Sequence, residues 1–82
     1  MGISDNIREY VLEAIIEPAR QRGLRTVKLK CGDIHDQMGL SNRHPQVCSA
    51  IDADIFQTYA KVELIQRSGP KQSNTATWLF KI

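Results

Sequence analysis

Cysteine is scarce in this sequence: Cys31 and Cys48 are the only two. A pair of thiols is too few for a disulfide scaffold of the kind that holds small secreted domains together. Long hydrophobic runs are missing as well. Uninterrupted apolar stretches extend only a few residues, so no segment is suited to cross a bilayer. At the start, Met1-Gly2-Ile3-Ser4-Asp5-Asn6 has no basic segment leading into an apolar stretch, and Asn6 stands where a myristoylation signal requires Ser or Thr. The expected location is therefore a reducing cytoplasm, without membrane attachment. Glycine-rich phosphate loops and carboxylate pairs with an obvious role are also absent. The 82 residues suit one small domain spanning 1–82, and such a chain has little to spare for a deep substrate pocket. An enzyme is not expected, and no cofactor.

What is present suits a folded domain. The composition is 41% apolar with a formal charge of +2, too apolar and too balanced for a disordered chain. The small total conceals an asymmetry. Residues 1–17 carry Arg8 against Asp5, Glu9, Glu13 and Glu17, a net −3, while residues 18–82 carry ten basic against five acidic side chains, a net +5. One end repels phosphate and the rest attracts it.

Periodicity orders the elements. Ile3, Ile7, Tyr10, Val11, Ala14, Ile15 and Pro18 share one face at helical spacing, which predicts a helix over about 4–22, kinked at Pro18 or broken into two pieces near Glu17, and ended by Gly23. Thr26-Val27-Lys28-Leu29-Lys30 alternates apolar and basic residues and reads as a half-exposed strand. Asp33 can cap a brief helix through Met38, stopped by Gly39. After the polar turn Leu40-Ser41-Asn42-Arg43-His44-Pro45, the inward spacing of Val47, Ile51 and Ile55 predicts a third helix over 45–59, with proline in its first turn. The β-prone runs 62–66 and 77–82 flank a polar, basic loop over 67–76 and predict a hairpin.

The order helix, strand, helix, helix, strand, wing, strand predicts an α+β domain, three helices with a small antiparallel sheet. It resembles a winged helix-turn-helix domain over essentially the whole chain. Ile34-His35-Asp36-Gln37-Met38-Gly39-Leu40-Ser41 is similar to the first helix and turn of a helix-turn-helix unit, with a turn about two residues longer before Val47. The segment 32–51 also resembles small archaeal winged-helix modules that stand alone or are appended to larger DNA-processing proteins. The resemblance implies double-stranded DNA as partner, the third helix in the major groove and the hairpin loop on the backbone. The residues suit those tasks. Arg43 can donate two hydrogen bonds to guanine, Asn42 and Gln46 match the edge of adenine, His44 adds charge, and Ser41 and Ser49 can bond phosphate or base. In the wing, Arg67 and Lys71 supply charge, and Gln72, Ser73 and Asn74 can bond sugar or phosphate. Asp52 and Asp54 oppose this surface unless they turn to solvent or to a basic neighbour. Lys28 and Lys30 extend it or merely protect an edge strand.

Other readings stay open. Cys31, His35, His44 and Cys48 form Cys-x3-His-x8-His-x3-Cys, a set of four zinc ligands on paper; alternatively Cys48 packs as a small apolar residue and His35 bonds locally. On a regular helical wheel Leu12 and Ile16 lie opposite Ile7, among the acids, so either another element covers them or they form a homodimer contact. Trp78, Phe80 and Ile82 alternate on the last strand as sheet packing. The function expected is sequence-selective DNA binding by a small transcriptional regulator. The alternatives are a winged-helix module that binds protein within a larger complex, and RNA binding through the same basic surface.

Overall fold

Pro18 sets the shape of the first helix. In the computed structural model, which describes residues 2–82, the chain is α-helical over Ile3–Val11, widens into a π-helical turn over Leu12–Ile16 and resumes as α-helix over Glu17–Gln21. These continuous pieces form α1. Proline has no N–H for the carbonyl of Ala14, and its ring crowds that carbonyl in a regular helix. The wider turn just before it gives the backbone room, and the Glu17 N–H reaches back to the Leu12 carbonyl. The buried positions Ile7, Val11, Ile16 and Ala19 are accordingly spaced by four, five and three residues. The step of five rotates Ile16 onto the core side. The exposed Leu12/Ile16 strip expected from a regular wheel therefore does not exist: Ile16 is fully buried and Leu12 is half-buried against the core. Ile16 is therefore not on the surface to form the contact expected of it.

Strand β1 covers Thr26–Lys30, with Leu29 buried and both lysines exposed. Helix α2, Cys31–Gln37, follows at once and starts before Asp33, the expected cap. Its first two donors are satisfied by backbone instead: the Cys31 N–H donates to the Ala76 carbonyl and the Gly32 N–H to the Asn74 carbonyl, each at 2.9 Å. The single helix expected over 45–59 is two, α3 at His44–Asp52 and α4 at Asp54–Ala60, parted by an extended Ala53. An unbroken helix would carry Phe56 away from the side that Ile51 occupies. The break lets both face inward, leaves Ile55 60% exposed, and sets the Phe56 ring edge-on to Phe80 at 5.4 Å.

Strands β2, Glu63–Ser68, and β3, Thr77–Lys81, complete an antiparallel sheet of order β1-β3-β2. Leu29, Trp78 and Phe80 on its inner face pack with the helices into one core. Leu64 pairs with Phe80 but Gln66 with Leu79, so Ile65 is the extra residue of a bulge. The bulge flips the face of everything after it and sets Arg67 opposite the buried Trp78. Among the described residues, no helix is long and apolar enough to cross a membrane.

Candidate nucleic-acid interface

The polar turn is built on a buried histidine. His35 lies inside the fold and its Nε2 accepts the Arg43 N–H at 3.1 Å. An accepting Nε2 puts the proton of the neutral ring on Nδ1, which has no hydrogen-bond partner among the described residues and lies 3.6 Å from Asp36. The His44 ring stacks on His35, centroids 3.9 Å apart. Gly39 and Asn42 both adopt positive φ, +67° and +54°, and so reverse the chain between α2 and α3. Ser41, Asn42 and Arg43 are left exposed at the turn, with Ser49 exposed one helical turn further along α3. Arg43, exposed, donates to the side chain of the half-buried Gln46 at 2.8 Å. No side chain caps the start of α3 among the described residues, so first-turn backbone donors there can meet an anion.

Asp52, at the end of α3, is the main tie between this helix and the hairpin. Its carboxylate accepts Arg67 Nε at 2.9 Å and Arg67 Nη2 at 3.2 Å, and Trp78 Nε1 at 2.6 Å. The rest of the guanidinium donates to the carbonyls of Ser68, Gly69, Pro70 and Lys71, and it lies 5.0 Å above the Trp78 ring centroid. The hydrogen bond to Asp52 raises the pKa of Arg67 above its ordinary value, against the opposing effect of burial. Arg67, read from sequence as a cation offered to phosphate, is half-buried and spends its donors on Asp52 and the loop carbonyls, which organises the loop. Lys71 is the exposed cation of the hairpin loop, and an open cleft of about 430 Å³ lies between Asp52, Arg67, Gly69 and Lys71. The far side of the loop is held too. Gly32 passes so close to it that a Cβ would sit 3.0 Å from the Asn74 carbonyl, and Cys48 Sγ is 3.6 Å from the Ser73 carbonyl. Gln72 and Asn74 remain exposed and Ser73 half-buried.

The four proposed zinc ligands resolve into two separate contacts. Cys31 and Cys48 meet through sulfur at 3.3 Å, while His35 and His44 stack face to face, with one nitrogen of His35 already used by the turn. Among the described residues, no three His, Cys, Asp or Glu side chains are placed to hold a metal ion. The zinc reading is set aside on this geometry. The basic neighbour that the sequence offered as one place for Asp52 to turn is Arg67; that this pair joins the third helix to the hairpin was not foreseen.

Fold and site together define a small α+β domain in which a polar turn, a short helix and a packed hairpin loop form one surface. The chain matches no family model, no curated protein and no solved structure.

Proposed function

We propose that the chain is a winged helix-turn-helix domain that binds double-stranded DNA as a small, non-enzymatic regulator of transcription. Helix α3 enters the major groove from its N-terminal end, with Arg43, Asn42 and Gln46 toward base edges and Ser41 and Ser49 toward phosphate. Lys71, with Gln72 and Asn74, touches the backbone beside it. The observation that carries this reading is the fixing of the hairpin loop along α3, through Asp52 to Arg67 and Cys48 to Ser73. A loop held in one position beside a helix pre-sets the spacing between groove and backbone contacts, which lowers the cost of ordering them on binding. The order of elements and the sheet order β1-β3-β2 support the same reading. The acidic α1 orients the domain, with Glu9 and Glu13 exposed and Arg8 turned inward onto the Ala50 carbonyl.

Titration of duplex DNA at several salt concentrations tests this. Wild type should bind with a falling log–log salt dependence, and Lys71→Ala should reduce the slope by about one unit. Arg43→Ala should narrow the difference between preferred and random sequences. An equal loss on every sequence would make Arg43 a phosphate contact, and no binding at low salt would defeat the proposal.

A second reading has its own support. Ile55 and Tyr59, 60% and 45% exposed, share a cleft of about 340 Å³ with Asp5, Arg8 and Glu9. Apolar residues rimmed by acids suit a protein partner with the opposite pattern, within a larger complex.

A further inference from the structure

Cys31 and Cys48 are nucleophilic side chains that DNA binding does not use. One opens α2 and the other lies in the middle of α3, yet their sulfurs are 3.3 Å apart and both side chains are fully buried. The Cys31 thiol reaches the His44 carbonyl at 3.5 Å, and the Cys48 thiol has the Ser73 carbonyl at 3.6 Å. We propose that these two residues form an oxidation site, an intramolecular disulfide made by exchange with a small-molecule disulfide of the glutathione type.

The two sulfurs need to close by about 1.3 Å to reach bonding distance. The segment they bracket contains His35, the turn and the first half of α3, and the bond would staple α2 to α3 beside the loop that Cys48 touches. The chemistry balances in two exchanges. One cysteine, as thiolate, attacks the small disulfide, forming a mixed disulfide and expelling one small thiol. The second cysteine attacks the protein sulfur of that mixed disulfide and expels the other. Two protein thiols lose two electrons and two protons, and the oxidant leaves as two thiols. Burial, and then the hydrogen bond shared with Cys48, pushes the Cys31 thiol up to about 12, so thiolate is scarce while the fold is closed. Exchange therefore waits on opening of the seven-residue α2. Oxidation should be slow in buffer and faster in mild urea, and the finished bond should resist reductant for the same reason.

The test is to hold the wild-type protein with oxidised glutathione in mild urea, remove both, unfold, alkylate and weigh it. The expected product is a monomer about 2 Da lighter that takes up no alkylating reagent. Refolded, it should melt roughly 5–15 °C above the reduced protein. The variant Cys48→Ala, treated alike, should stop at a single glutathione adduct on Cys31. Recovery of two alkylated cysteines, stable glutathione adducts on wild type, chains linked to each other, or a lowered melting midpoint would each overturn the proposal.

Discussion

A few side chains carry more structural duty than their residue types announce, and Asp52 is the foremost. It accepts from the Trp78 indole and from Nε and Nη2 along one edge of the Arg67 guanidinium, so Asp52→Ala should cost about 1–3 kcal/mol, read by urea unfolding. Amide exchange in residues 68–76 should rise in the same variant more than in the core strands. Gly69 is a second such place. At φ +85° a Cβ would sit 2.8 Å from the Thr75 carbonyl oxygen, so Gly69→Ala should destabilise by about 1–3 kcal/mol, and unchanged stability would mean that the loop can move aside. Cys31 gives a pH dependence with a definite sign. Its pKa rises from 9.0 to about 12 on folding, so its contribution to stability is complete below pH 9 and is lost as the pH climbs towards 12. Urea midpoints measured across that range should fall, and less steeply in Cys31→Ala. These roles were only partly legible in the sequence. The Arg67 charge was visible, but its commitment to Asp52 depends on a bulge at Ile65 that no turn residue marks.

At the scale of elements, periodicity was sufficient wherever the backbone stayed regular. The alternation of Thr26–Lys30 matched the strand residue for residue, and the helix, turn and hairpin fell in the expected order. It failed at Leu12–Ile16 and at Ala53, where the phase of a helix changes inside an apolar pattern. Both failures have the same physical cause. A wheel assumes a constant rotation per residue, whereas the wide turn before Pro18 and the extended Ala53 each shift the phase and bring Ile16 and Phe56 into the core. The π turn yields a test. Deleting the exposed Ala14 restores a step of four between the buried Val11 and the residue now numbered Ile16. It also returns Pro18 to a regular helix, where its ring clashes. Deletion alone should lower the thermal midpoint clearly, and combining it with Pro18→Ala should recover most of the loss; no recovery would show that the π turn has another cause.

For the whole molecule, a charge of +2 looks indifferent until it is placed on the fold. Four of its nine acids lie on α1, whereas Arg43 and Lys71 are exposed at the turn and the hairpin loop. With the Arg67 guanidinium bound to Asp52, few cations on this surface remain to meet phosphate, so the affinity of one copy for DNA should be modest and its log–log salt slope shallow. Backbone amide shifts recorded while a short duplex is titrated into isotopically labelled protein test the DNA-binding account most directly. The account predicts shifts concentrated at residues 41–49 and 70–75, with Glu9, Glu13, Ile55 and Tyr59 undisturbed. Shifts confined to α1 and α4, or none at low salt, would contradict it.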